Sequence, residues 1–360
     1  MALYNDPDFR RLPVELADFF ETCASQSFFA LSQWYDLMAR HCVSPEAQIR
    51  VYTDDCASPA MAIVLCGASK GGLRCLSGLA NFYSLEHGVI ALPGADLESG
   101  LGAIAGEIQG ERPRWDCSRF SEFDPRNADY GALASALRRA GFLVECTHGA
   151  ATWFEMTAHM TFADYLAQRP SQLRSTWRRK RRSIVASGRL SAAFFPDSCG
   201  IEQAIADYEA VYRASWKPPE EFPNFIPALI RLAADLSALR LGVYYIDGAP
   251  AAAQFWIVWA GRATIYKLAH DRRFDSLSLG TLLTMEMIER VIELDRPSEI
   301  NFGRGDDPYK RLWLPQRRQR WGITAANPRT FHGLRVGIER EAAKLYHRIR
   351  GEAISPPGWR

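Results

Sequence analysis

Residues 301–313 read NFGRGDDPYKRLW. Two glycines, two adjacent acids and a Pro-Tyr-Lys-Arg run allow three kinds of chemistry: a phosphate cradle, a metal site, or polar side chains at the working end of a strand. The stretch follows a strand and runs into Pro308, so it does not open a helix from a glycine loop as a dinucleotide fingerprint does. Asp306 and Asp307 are adjacent at a strand end, so their carboxylates point apart, and no third ligand is near. No metal is therefore expected. The remaining reading is a strand end whose side chains face a cleft as the floor of an acceptor site. The plainer alternative is that Asp307 and Lys310 shape the turn and pair with neighbours.

A second stretch, KLAHDRRFDSLSLGTLLTMEMIERVI, covers 267–292. A strand ends here, a polar loop follows, and Ser278-Leu279-Gly280-Thr281 opens a helix. Free amides and the positive dipole end at a helix start favour an anion, and Gly280 would let a phosphate approach the backbone. Ser278 or Thr281 acting only as a helix cap is the competing reading. Gln254 lies within the apolar run APAAAQFWIVWAG. A buried amide needs partners, which a ligand or a facing backbone would supply equally well.

The elements that position these residues follow from periodicity and punctuation. In the first half, strands are expected at Gln48–Tyr52, Pro59–Cys66, Leu73–Leu79, Trp115–Phe120, Phe142–Cys146 and Thr152–Met156, with helices at Leu97–Ile108 and Ala128–Ala140. Residues 161–188 read as helical. Six of the nine residues from Arg174 to Arg182 are basic, with Leu173, Trp177 and Ile184 as a narrow apolar stripe. Next come the strand Leu190–Phe195, helices Gly200–Trp216 and Asn224–Ala238, and strands Leu239–Ile246, Ala251–Trp259 and Ala263–Ala269. A helix at Leu279–Leu294, the strand Glu299–Gly303 and a strand at Arg320–Ala325 follow. An amphipathic helix marked by Leu334, Ile338, Leu345 and Ile349 and a loose tail, ISPPGWR, end the chain. The order of Leu73–Leu79, Leu97–Ile108 and Trp115–Phe120 parallels that of Ala263–Ala269, Leu279–Leu294 and Glu299–Gly303, which suggests an internal duplication.

The totals set limits on this picture. A chain of 360 residues, 48% hydrophobic and 23% charged, suits two soluble domains. A net charge of +2 implies no nucleic-acid or membrane partner from bulk charge. The start MALYNDPDFRRLPVELADFF has no apolar core or cleavage site, so secretion is not expected. No run is long enough to span a bilayer. Eight cysteines lack any Cys-x-x-Cys pair, which fits a reduced cytoplasm with buried thiols and no disulfide framework.

The run from Ala252-Gln254 through IYKLAHD, LGTLLT and INFGRGDDPYKRLW to RRQRWG resembles the GNAT acyl-CoA N-acyltransferases. More narrowly it resembles the FemAB-related branch and its CelD-type acetyltransferases of cellulose and polysaccharide synthesis. LANFYS at 79–84 and ASWK at 214–217 fit that branch too. The resemblance is strongest over residues 160–325 and looser before 150. It implies an α/β (α+β) fold of tandem GNAT-like domains with mixed central sheets flanked by helices. The expected division is 1–158 for the N-terminal half, 159–330 for the acyltransferase half, and 331–360 for the C-terminal helix and tail.

It further implies acetyl-CoA or another acyl-CoA as co-substrate. The backbone of Lys267, Leu268 and Ala269 would receive the pantetheine arm, and Ser278, Leu279, Gly280 and Thr281 the pyrophosphate. Gly280 is the only glycine where the family loop usually has two. Acyl transfer needs a neutral amine, a donor to the carbonyl oxygen and a proton for the thiolate. Asp306 would deprotonate or orient an ammonium, and Tyr309 matches the region of the family's proton donor. Trp216, Lys217, Gln254, Arg304, Asp307 and Lys310 would face an amine acceptor, a small molecule or glycan precursor such as an amino sugar, attacked directly in a ternary complex. Arg311, beside Lys310, would also hold an anionic group. The first half would mainly support the second.

Two alternatives remain open. One is a Fem-type transferase taking its donor from aminoacyl-tRNA and acting on a peptidoglycan precursor; the other is a non-catalytic GNAT-like scaffold. For the basic helix, the adenosine phosphate of CoA, an anionic glycan, a membrane surface, tRNA and a solvated face are all open.

Overall fold

In the computed structural model, residues 3–4, 8–44, 46–124 and 126–350 are described. The ISPPGWR tail lies outside them. The chain forms two compact units, Met1–Ala151 with Gln319–Arg360, and Thr152–Arg318. These bounds differ from the expected ones, because the C-terminal helix belongs to the first unit instead of standing apart.

The first unit begins with strand β1 (Leu3–Tyr4) and helices α1 (Val14–Cys23) and α2 (Ser32–His41). Strands β2 (Gln48–Thr53), β3 (Met61–Lys70) and β4 (Leu73–Gly78) form an antiparallel meander. The short β5 (Ile90–Ala91) pairs with β3. Helix α3 (Leu97–Gly110) starts where Asp96 accepts the amides of Glu98 and Ser99, as its position predicts. Its chain returns as β6 (Cys117–Phe123), parallel to β4. Helix α4 (Ala128–Arg139) and strand β7 (Leu143–Met156) follow. β7 is one strand, not the expected two: Gly149 lies in it against the Arg320 backbone, and Thr-His-Gly makes no turn. Met61, Ile63, Leu65, Leu76, Leu101, Ile104 and Phe120 form the core.

One cysteine expectation fails here. Cys75 and Cys117 are register partners in the β4–β6 pair, with Cα atoms 4.8 Å apart, and form a disulfide. They are 42 residues apart in sequence, so only strand register reveals the pairing. Cys23, Cys42, Cys56, Cys66, Cys146 and Cys199 are free.

In the second unit, the expected helix 161–188 is two helices, α5 (Phe162–Ala167) and α6 (Ser171–Ala186). Pro170 divides them, since a proline pushes the preceding residue out of the helical region. A Thr161–Asp164 capping box starts α5. Strand β8 (Leu190–Phe195), helices α7 (Ile201–Ala214) and α8 (Phe225–Asp235), and strands β9 (Leu239–Ile246), β10 (Ala249–Trp259) and β11 (Arg262–His270) lead to helix α9 (Leu279–Arg290). A π turn over Val291–Asp295 ends it. The chain returns as β12 (Glu299–Asn301), parallel to β11. The sheet order β12-β11-β10-β9-β8 is otherwise antiparallel, and the end of β7 pairs with β12. Strand β13 (Gln316–Ala326), whose later residues pair with β6, and helix α10 (Phe331–Arg350) complete the chain.

Each unit is thus a mixed sheet flanked by helices, as expected. The duplication is visible as topology: β2-β3-β4-α3-β6 repeats as β9-β10-β11-α9-β12, and each copy ends in a parallel pair.

Candidate active site

The strands β11 and β12 pair over Arg262–Thr264 and Glu299–Asn301. β12 then ends, while β11 runs on through Ile265 to His270 beside β10. Chain continuing past the end of its parallel neighbour is a place for an extended ligand to lie along a strand. Lys267, Leu268 and Ala269 are in this extension, as expected. The Lys267 side chain has a task of its own, an ion pair with Glu220 at 2.7 Å.

The extension leads to the start of α9. Ser278 stands at its N-cap with φ 58° and makes no side-chain cap bond. The capping alternative therefore fails for Ser278, and its hydroxyl does not take up the amides at Leu279, Gly280 and Thr281. Leu279 is fully buried and offers backbone alone. A Cβ on Gly280 would come 3.2 Å from His270 Nδ1, so the position has little room for a side chain. His270 binds Asp275 through Nε2 at 2.9 Å, and its ring lies 4.6 Å from that of Trp216. Trp216 is half-exposed and stands at this strand end. His270, which carried no expectation from the sequence, is the last residue of the apolar strand β11.

Gln254 is not at a ligand surface. It is fully buried, donates to Thr284 Oγ1 at 2.5 Å and the Gly280 carbonyl at 3.3 Å, and accepts from Trp256 Nε1 at 3.2 Å. The facing helix, not a ligand, satisfies this amide. It ties the start of α9 to β10.

The loop after β12 turns twice through the left-handed region, at Gly303 (φ 64°) and Gly305 (φ 115°), which explains the glycines. Lys310 is buried and folds back to the carbonyls of Arg304 and Gly305 at 2.7 and 3.3 Å and to Asp307 at 3.3 Å. Lys310 and Asp307 thus do shape the turn. Burial, only partly offset by Asp307, lowers the Lys310 ammonium below the usual lysine range. Arg304 contributes its carbonyl to this closure.

Asp306 is not placed as a base. Arg317 Nε lies 3.0 Å from each carboxylate oxygen and Nη2 2.7 Å from Oδ2, and Trp153 Nε1 donates to Oδ1 at 3.0 Å. The Arg317 hydrogen bonds hold its carboxyl below the usual range. A carboxylate so occupied is a poor proton acceptor. Tyr309, by contrast, is 44% exposed, with its ring edge-on to Phe302 at 5.7 Å. Burial of its inner side and the Asp307 charge push its phenol up to about 12, so it keeps its proton through the neutral range.

Lys217 is half-buried, with Nζ 5.9 Å from the ring centres of Tyr212 and Trp216. Burial and then the Lys267 charge push its ammonium down to about 8, with Glu220, Lys310 and Asp307 also felt. The structure therefore groups Lys217, Lys267, Lys310, Asp307 and Glu220. Glu220, in the proline-flanked KPPEEFP loop, carried no signal of its own in the sequence.

Residues 171–311, inside the second unit, match the family described as an acetyltransferase (GNAT) domain. Among solved structures, FemX is similar with a TM-score of 0.58 at 9% identity, over 89% of this chain and 97% of that one. The C-terminal domain of a protein described as a lysylphosphatidylglycerol synthetase from Agrobacterium fabrum is similar at 0.54 and 12%, over 88% and 94%. A protein of unknown function from Bacteroides thetaiotaomicron is similar at 0.53 and 11%, over 91% and 100%. At such identities the likeness is one of fold. No curated protein matches the chain.

Proposed function

We propose that the second unit is an N-acyltransferase moving an acyl group, most simply acetyl, from an acyl-CoA thioester to an amine. The observation that carries this reading is the β11 extension beyond β12, leading to a helix start without a side-chain cap at Ser278. An extended pantetheine arm would lie along Ile265–His270, and its pyrophosphate would meet the amides at Leu279, Gly280 and Thr281. Ser278 offers no competing cap there, and Gly280 carries no side chain to cover these amides. The GNAT domain match over 171–311 supports the same chemistry.

In the reaction the neutral amine attacks the thioester carbonyl directly. The C–N bond forms, the C–S bond breaks, the thiolate takes the Tyr309 proton, and the amine's surplus proton passes to water. Water then returns a proton to Tyr309. The half-exposed phenol, protonated at neutral pH, suits the donor's part. Resemblance to the CelD-type branch suggests an amino sugar or envelope-polysaccharide precursor as acceptor, in the cytoplasm. Among the described residues no helix is long and apolar enough to cross a membrane, and peripheral membrane contact fits equally.

A second reading is favoured by one observation. Arg178, Arg179 and Arg182 of α6 are exposed and hold no hydrogen bond or ion pair among the described residues. Such a face suits the phosphates of an aminoacyl-tRNA donor, as in a Fem-type transferase.

Thermal unfolding with acetyl-CoA, longer acyl-CoAs, free CoA and tRNA separates the two. A ligand at a hundred times its Kd stabilises the native state by about 2.7 kcal/mol. The expected outcome is a shift with acyl-CoA and thiol release when amines are added. A shift with tRNA alone would replace this reading with the second, and a shift without turnover would support a binding scaffold.

A further inference from the structure

Around Lys217 three ammonium groups face two carboxylates. Glu220 is engaged by Lys267 at 2.7 Å, and Asp307 by Lys310 at 3.3 Å. Lys310 is further satisfied by the carbonyls of Arg304 and Gly305. Lys217 is the ammonium left over: among the described residues it has no carboxylate and no hydrogen-bond acceptor, only the faces of Tyr212 and Trp216. A half-buried charge of this kind loses much of its hydration without gaining an anion, which is costly unless a ligand supplies one.

The groups facing it come from every side. Tyr212 belongs to α7, Trp216 and Glu220 to the following loop, Lys267 to β11, and Asp307 and Lys310 to the loop after β12. That last loop also carries Tyr309, the expected proton donor to the thiolate. An anion held by Lys217 would therefore lie on the side of the Tyr309 loop. The phosphates of a CoA donor are separated from its sulfur by the whole pantetheine arm, so they are not this anion.

We propose that Lys217 is the anion anchor of the acceptor site, and that the amine receiving the acyl group also carries a carboxylate or a phosphate. The word acceptor rests on the acyl-transfer reading above; the anion site itself does not. Trp216 and Tyr212 would flank the anchored group, and Lys267 and Lys310 would add to the field without leaving their own partners.

Two measurements on the full chain test this separately. First, reductive methylation with formaldehyde and cyanoborohydride at neutral pH is followed lysine by lysine by mass spectrometry, in phosphate, in acetate and in chloride at equal ionic strength. Phosphate or acetate is expected to slow modification of Lys217 about ten-fold, as a charge-assisted contact would, while exposed Lys70 is unaffected. Protection by one anion and not the other identifies which is bound. Equal rates in all three salts would overturn the anion site. Second, acetyl-CoA-dependent thiol release is compared for alanine against alaninamide and for glucosamine 6-phosphate against glucosamine.

The anionic member of at least one pair is expected to be preferred by about ten- to hundred-fold in kcat/KM, mostly through KM. Lys217→Met should abolish the preference and Lys217→Arg should keep much of it. A preference that survives in Lys217→Met, or neutral members used as well as anionic ones, would overturn the acceptor assignment. Anion protection with no thiol release from any amine would retain the site and overturn acyl transfer instead.

Discussion

Tyr309 and Asp306 share one loop and are held in opposite protonation states. The phenol keeps its proton up to about 12, whereas the hydrogen bonds and charge of Arg317 keep the carboxyl ionised. Tyr309→Phe is therefore expected to lower kcat by about 10²–10⁴-fold, the range for losing a general acid, with little change in KM. An unchanged kcat would remove Tyr309 from the chemistry. Asp306→Asn should cost about 0.2–1 kcal/mol, because its ion pair is half-exposed, and should leave the pH–rate profile in place. The disappearance of an acid limb in that variant would restore Asp306 as a base. Lys217 has the opposite linkage to a stabilising pair. Its folded pKa, about 8, lies below the ordinary lysine value, so its unfavourable charge is fully present below about pH 8 and relieved as pH rises toward about 10.4. Lys217→Met should therefore raise the melting temperature of the free protein at pH 7, with the gain fading by pH 10. A lower melting temperature at pH 7 would contradict this placement.

At the scale of elements, the start of α9 is fixed from two sides. Gln254 and Thr284 bind its first turn from within, and the side of Gly280 lies against His270. Gln254→Ala leaves the Trp256 indole and the Thr284 hydroxyl short of partners. It is expected to cost about 1–3 kcal/mol in urea unfolding. Gly280→Val should press on His270 and abolish the acyl-CoA-induced shift, read against the unliganded midpoint of the same variant, since its effect falls on the helix start and on His270. Equal shifts in both proteins would place the donor elsewhere. Most elements here were legible because strands and helices encode their periods locally: β9, β10, β11 and α9 fall close to their expected bounds. Helices α1 and α2 carried no expectation, and neither start has a side-chain cap to mark it. Their counterparts in the repeat are α7 and α8, so the topology supplies what the capping signal lacked.

At the scale of the molecule, one fold plan occurs twice and its two counterpart helices start differently: α3 is capped by the Asp96 carboxylate, whereas α9 has no side-chain cap. The Cys75–Cys117 bond closes a 42-residue separation in the first copy. Cys75→Ser with Cys117→Ser is expected to lower stability by about 2–4 kcal/mol, read as the denaturant midpoint, without altering the acyl-CoA-induced shift. Loss of that shift would give the first unit a part in binding that its described residues do not suggest.

From its sequence alone, the chain determined most strands and helices from β2 onward, the order that repeats, and the strand end that leads into the Tyr309 loop. All of these depend on neighbours within a few residues, where backbone period and turn chemistry decide. What the side chains do there depended on tertiary structure. Gln254 became a structural tie because α9 lies over β10. Asp306 was claimed by Trp153 and Arg317. Lys217 was brought beside Lys267 and Lys310, whose own partners leave it one anion short. Sheet register and helix packing set those distances between residues far apart in sequence, and no local pattern records them.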